Sequence, residues 1–115
     1  MNKVSHINEI VHGDALIVVP SLEKKFDRVL MPYPDLFETA IAIAIEAVKN
    51  YGIIHPHLFV EADSKKNTLI SAYNIVTERL HKLGVSAEVL GGHVIRGVAP
   101  RKYHVVVDVR VVKGL

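Results

Sequence analysis

The chain reads as an α/β domain with a mostly parallel sheet and an antiparallel strand pair at its C-terminal edge. Three observations carry that expectation. Strand-like runs alternate with helical patterns between positions 26 and 83, the order that builds parallel crossover units. Two further strand-like runs then follow one another across a short connection, which makes an antiparallel pair. Half of the 115 residues are hydrophobic, so one core burying roughly two-thirds of the unfolded surface is within reach. A single domain, 1–115, is expected, with no internal repeat, low-complexity stretch or linker.

The elements follow in order. Asn8 to His12 is a short apolar run stopped by Gly13-Asp14, a strand entering a turn. Ala15 to Pro20 is apolar and closed by Pro20-Ser21, which reads as a short helix or turn. Phe26 to Met31 is the second strand, ended by Pro32-Tyr33-Pro34, since proline cannot continue a central ladder. Asp35 is placed to cap a helix that runs to about Tyr51 and stops at Gly52. Ile53 to Val60 is the third strand, interrupted by Pro56. Ser64 then caps a second helix, in which Leu69, Ala72, Tyr73, Val76, Leu80 and Leu83 recur at three- and four-residue spacing. Gly84 is its stop. The strands Ser86 to Ile95 and Tyr103 to Val112 close the chain, with Gly91-Gly92 marking a bulge or bend. The first helix is unusual. Ala40 to Ile45 is apolar around the whole circumference, which asks for cover on more than one side, from a second subunit or by leaving alanines exposed.

Composition excludes several classes of function. The longest strongly apolar run is far too short to cross a bilayer, and no N-terminal segment reads as a signal peptide, so a cytoplasmic protein is expected. The chain has no cysteine, which removes disulfides, thiolate chemistry and zinc-finger spacing. A formal charge of +2 is weak support for nucleic-acid binding.

A few residues carry chemistry. Asp14 sits in a Gly-Asp turn, a pairing that backbone geometry alone also favours. Tyr33, at a strand end, is placed to stack on a base or to pack half-buried. His55 and His57 are two apart on a strand and so share a face, the spacing of a metal pair, but Pro56 disturbs the geometry and no third ligand is obvious. Lys24, Lys25 and Arg28 form one basic cluster. Arg96, Arg101 and Lys102 form another, open to a phosphate or to solvent. Asp108 and Arg110 are expected to face solvent or to pair with each other. No nucleophile motif of a hydrolase is present.

Four segments carry a resemblance. Gly13-Asp14-Ala15, Phe26-Asp27-Arg28-Val29-Leu30-Met31-Pro32-Tyr33-Pro34, Tyr51-Gly52-Ile53-Ile54-His55 and Val98-Ala99-Pro100-Arg101-Lys102-Tyr103 stand in order across nearly the whole chain. In this the chain resembles the C-terminal part of the Rossmann-like, S-adenosylmethionine-dependent methyltransferase domain of the tRNA guanine N1-methyltransferase and wybutosine-synthesis transferase family. The resemblance implies tRNA modification and S-adenosylmethionine as cofactor. It assigns an adenine contact to Asp14 and the vicinity of the methyl donor to Met31, Pro32, Tyr33 and Pro34. It makes tRNA a partner, for which Arg96, Arg101 and Lys102 are the candidate contacts. Two departures bear on activity. The family's Asn-Leu-Pro motif has Pro32 in place of asparagine, and proline has neither a side-chain amide nor a backbone N–H. The family's first strands and glycine-rich cofactor turn have no counterpart here. The expectation is a truncated chain, inactive alone or dependent on a partner chain, with a non-enzymatic dimeric module or an RNA-binding accessory domain as the alternatives.

Loss of those strands would leave an edge on Phe26 to Met31, and each buried unpaired backbone group there costs roughly 1–3 kcal/mol. Three remedies are open: the N-terminal strand moves in beside it, a second copy pairs edge to edge, or a separate N-terminal methyltransferase chain supplies the strands. The homodimer is the expectation.

Overall fold

The computed structural model describes the backbone of residues 9–11 and 16–20, and residues 26–113 in full. The elements are β1 (Glu9–Val11), β2 (Leu16–Pro20), β3 (Phe26–Met31), a 3-10 turn (Pro34–Leu36), α1 (Phe37–Ala47), β4 (Val48–Glu61), α2 (Lys65–Lys82), β5 (Ser86–Ala99) and β6 (Lys102–Val112). They form one six-stranded sheet in the order β1-β2-β3-β4-β6-β5.

The α/β class holds, but the sheet is not mostly parallel. Among the described residues only β3 and β4 pair in parallel, with Leu30 opposite His55 and Met31 opposite Pro56, because only α1 makes a crossover between neighbours. The other four pairings are antiparallel. Part of the difference lies at Leu16–Pro20, expected as a helix or turn and found as a strand. Ile17, Val18 and Val19 are β-branched, and they pair with Leu30, Val29 and Arg28 along the edge of β3. The edge expected to lie open is therefore filled from within the chain, so a second copy is not needed there.

Alternating strands and helices generally build a sheet covered on both faces. Instead, α1 and α2 share one cluster on a single face. Val29 and Met31 of β3, Ile54, Leu58 and Val60 of β4, and Val105, Val107, Val109 and Val111 of β6 face Ile41, Ala44, Ala72, Val76 and Leu80. The alternate residues of the same strands, among them His55, His57, His104 and Asp108, look the other way and stay half-buried. Among the described residues, no helix covers that outer face. None is long and apolar enough to cross a membrane either.

The first helix differs in detail from expectation, and the second does not. Asp35 does not cap α1. It lies in the 3-10 turn, which closes through the Leu36 N–H donating to the Tyr33 carbonyl at 2.9 Å. The helix ends at Ala47, four residues early, because Val48 is already extended and pairs with Phe26. Between that pair and Arg28 opposite Ile53, β4 takes up three extra residues. Tyr51 there lies in the left-handed region at φ 68°. Gly52 follows because a Cβ would fall 2.5 Å from Val48 Cγ2 and 3.0 Å from the Asp27 carbonyl oxygen. The apolar circumference of α1 resolves within the chain: Ile41 and Ile45 are buried, Ile43 is half-buried against the core, and Ala42 is exposed. Ser64 does cap α2, its Oγ accepting from the Asn67 N–H at 3.2 Å. Gly84 takes the left-handed conformation just beyond its end.

Candidate nucleotide and RNA site at the carboxyl ends of the parallel strands

Ligands of open α/β sheets gather beyond the carboxyl ends of parallel strands, where the chain leaves for a helix and a crevice opens. With a single parallel pair, that place is the end of β3 and β4. Met31 itself is buried under α1 at 1% exposure, so it brings the backbone of the loop to the surface rather than its own side chain. Pro32 and Pro34 are half-buried and rigidify the exit. Tyr33 projects, 45% exposed, as an aromatic face free to meet a ligand. A groove of about 220 Å³ opens directly beside it, with Pro34, Asp35, Phe37 and Glu38 on one wall and Leu58, Phe59 and Ile75 on the other. An ion pair from Arg79 to Glu38 ties α2 to α1 at its flank. Another groove, about 580 Å³, runs along Asn74, Thr77, Glu78, His81 and Val85–Ala87. It lies at the opposite end of the sheet, where β5 starts beside the end of β6, away from the strand ends that hold ligands in such folds. Asp14, the assigned adenine contact, lies outside the described residues, as do Lys24 and Lys25.

The second candidate group stands at the same end. Residues Pro100 and Arg101 make the tight turn between β5 and β6, with Arg101 at φ 62°. The Ala62 N–H donates to the Arg101 carbonyl at 3.0 Å, which fastens the turn to the end of β4. Beyond Pro56, opposite Met31, β4 runs five more residues to Glu61 opposite Lys102. At about 3.3 Å per residue the basic turn thus overhangs the β3 loop by roughly 17 Å. Lys102 holds its ammonium 5.0 Å above the Phe59 ring. Arg96 lies on β5 opposite His104.

On the outer face, cross-strand contacts replace the expected ones. Asp108 and Arg110 do not pair with each other: they are two apart on β6, and each finds a neighbour on an adjacent strand. The Arg110 guanidinium donates to Glu88 at 3.2 Å. The His55 Nδ1–H donates to Asp108 at 2.7 Å, while the Arg28 guanidinium donates to His55 Nε2 at 2.9 Å. Arginine only donates and carboxylate only accepts, so the two partners fix the tautomer with the proton on Nδ1. His57 Nδ1 and His104 Nε2 are 2.8 Å apart, one donating and one accepting. Burial lowers the His57 pKa below the usual imidazole value, and His104, His55 and His93 add to this against the opposing pull of Asp108. Burial also lowers that of His104, with Arg96 acting in the same direction. His55 and His57 share a face but serve different partners, and among the described residues no group of three is placed to hold a metal. Sequence reasoning passed over His104 and Phe59. The signal for both is the alternation along β4 and β6, which puts Phe59 opposite His104.

The sheet order and the crossover through α1 make this an open α/β domain. The profile of the TRM5/TYW2 methyltransferase domain matches residues 1–86, and the chain belongs to that family. It is 33% identical over 100 residues to the tRNA 4-demethylwyosine(37)-methyltransferase Taw21 of Saccharolobus solfataricus, covering 87% of this chain and 34% of that protein. It is 32% identical over 111 residues to the tRNA (guanine(37)-N(1))-methyltransferase Trm5b of Pyrococcus abyssi, covering 96% of this chain and 31% of that protein. The crystal structure of Trm5b superposes with a TM-score of 0.63 over 80% of this chain and 27% of that one, at 33% identity. TYW2 of M. jannaschii in complex with AdoMet superposes with a TM-score of 0.62 over 83% of this chain and 42% of that one, at 25% identity. The chain thus spans about a third of the length of the curated relatives it matches.

Proposed function

We propose that this chain supplies the C-terminal part of an S-adenosylmethionine-dependent tRNA methyltransferase domain, and that it works with a separate N-terminal methyltransferase chain or as a homodimer. The observation that carries the reading is the position of the Met31–Pro34 loop at the carboxyl end of the parallel pair, beside an open groove. The residues there fit one wall of a nucleoside pocket. Tyr33 offers a ring for an adenine or a target base, and the two prolines hold the loop in place. Pro32 brings no amide where the family's motif has asparagine, so the polar work at the methyl group falls to other residues. Arg96, Arg101 and Lys102 overhang the same end and are suited to phosphates of a tRNA. The cofactor, when bound, supplies the activated methyl group, and this chain's part is to bind and orient.

Calorimetric titration with S-adenosylmethionine tests the reading, first on the chain alone and then with a polypeptide matching the preceding region of its relatives. A tRNA methylation assay follows on the same mixtures. Binding and methyl transfer in the mixture, weakened by Tyr33→Ala and Asp14→Ala, are the expected results. Neither binding nor transfer in any mixture refutes the proposal and leaves a non-enzymatic module.

A further inference from the structure

An antiparallel sheet commonly keeps one face in water, with polar residues on it. On β4, β6 and β5 that face gathers rings. Four of the chain's seven histidines, His55, His57, His93 and His104, stand there together with Phe59. Phe59 is 37% exposed on it, a large apolar ring on a face that packs against no helix among the described residues.

The bulges of β5 complete the set. Register shifts fall between Val89 and Gly91, between Val94 and Arg96, and between Gly97 and Ala99, leaving Leu90, Ile95 and Val98 without an opposite number on β6. His93 and Arg96 are three apart, and regular alternation would send them to opposite faces. The extra residue at Ile95 brings both to the outer face, His93 opposite Val106 and Arg96 opposite His104. Two rows result. His57, Val106 and His93 make one, and Phe59, His104 and Arg96 make the next, two residues on and about 6.8 Å away.

The His57 and His104 ring centroids are 5.0 Å apart, and Phe59 meets His104 edge-on at 5.9 Å. Burial holds both imidazoles neutral at pH 7, so they offer ring faces rather than charge. The cations stand around them: Arg96 beside His104, Arg28 beyond His55, and Lys102 with its ammonium 5.0 Å from the Phe59 centroid. The carboxylates keep to the margins. Asp108 accepts from His55, Glu88 accepts from Arg110, and Glu61 stands opposite Lys102 at the end of β4. The row from Phe59 to Arg96 contains none.

Rings on which bases stack, with cations beside them for phosphates, are what recognition of an unpaired nucleic acid strand requires. We infer that the outer face of β4, β6 and β5 binds an unpaired RNA strand, with bases on Phe59 and His104 and phosphates on Arg96 and Lys102. This rests on the tRNA reading above and deepens it, adding the ring residues and restricting the RNA to unpaired segments. Lys102 leaves the Phe59 ring as a base takes its place, because a cation–π contact at an exposed site is weaker than a stacked base. The histidines couple binding to protons. In the free chain one of His57 Nδ1 and His104 Nε2 donates to the other. A phosphate opposes the burial and the positive neighbours that keep these rings neutral, so a proton is taken up and the accepting nitrogen becomes a second donor. Binding therefore strengthens as pH falls.

Fluorescence anisotropy of the full chain with a labelled oligouridylate too short to fold reads this binding without cofactor or partner chain. The single strand is expected to bind several-fold more tightly than an RNA duplex of the same length. Phe59→Ala weakens binding roughly tenfold, and Phe59→Tyr, which keeps the ring, retains it. Arg96→Ala lowers the salt slope by about one, and Lys82→Ala on α2 leaves it unchanged. Affinity rises several-fold from about pH 7.5 to about pH 6, and that rise is absent from His57→Gln/His104→Gln. Equal affinity for strand and duplex, with Phe59→Ala neutral, overturns the platform and leaves Arg96 and Lys102 as plain phosphate contacts. No binding even at low salt overturns both. Strand binding by a chain that takes up no S-adenosylmethionine in any mixture keeps this surface while refuting the methyltransferase reading.

Discussion

The Arg28–His55–Asp108 chain of contacts joins three strands, and its central link is open to measurement. Removing Asp108 leaves His55 Nδ1–H without its acceptor and cuts the chain of contacts that runs on to Arg28. A hydrogen bond to a charged group contributes about 1.5–3 kcal/mol when shielded from water. Here the Asp108 side chain is 37% exposed and that of His55 20%, so solvent screening reduces the coupling to about 1 kcal/mol. A double-mutant cycle of Asp108→Ala and His55→Ala, read by urea unfolding with circular dichroism, isolates that term. With the slope usual for a domain of this size, 1 kcal/mol moves the midpoint by roughly half a molar in urea. The parallel cycle of Asp108→Ala with Arg110→Ala is expected to be additive, because Arg110 is engaged with Glu88. A His55–Asp108 coupling below about 0.3 kcal/mol, or a larger one between Asp108 and Arg110, refutes the cross-strand assignment.

Two further outcomes follow from the same face and from the irregular start of β4. The folded-state pKa values of His57 and His104 lie below the ordinary value of 6.5, so the unfolded chain binds protons first as pH falls. Their contribution to stability is whole above pH 6.5 and is lost as pH drops through the lowered values. The double variant His57→Gln/His104→Gln is expected to flatten the fall in thermal midpoint below pH 6.5, and an unchanged slope would count against the neutral pair. Gly52→Ala places a methyl against Val48 and against two backbone oxygens that cannot turn aside. It is expected to cost about 1–3 kcal/mol, or roughly 4–12 °C in thermal midpoint. A change under 1 °C would show that β4 does not need the close approach.

The loop at the candidate site was readable because proline and aromatic residues announce themselves locally. Met31 to Pro34 lies where the sequence places it, at a strand end before a helix. Ser64 and Gly84 bound α2 for the same kind of reason, one by its hydroxyl and the other by its freedom at positive φ. The end of α1 was hidden. Val48 to Gly52 has no stop signal before Gly52, and the helix yields at Val48 only because that residue pairs with Phe26 on another strand.

What the chain by itself determined is the set of elements with a local cause: strands from β-branched runs, helices from apolar periodicity and caps, and the family from four short segments in order. Pairing partners have no local cause. Leu16–Pro20 became a strand because β3 offered it a ladder, which made two of the four antiparallel pairings, and the insertion of β6 between β4 and β5 made the other two. Asp108 passes over Arg110 for His55 because neighbours across a sheet come closer than neighbours two apart along a strand. The stripe of Leu90, Ile95 and Val98 exists only once register has decided which residues β6 leaves unpaired. Register is a property of two strands together, and only the tertiary structure holds both.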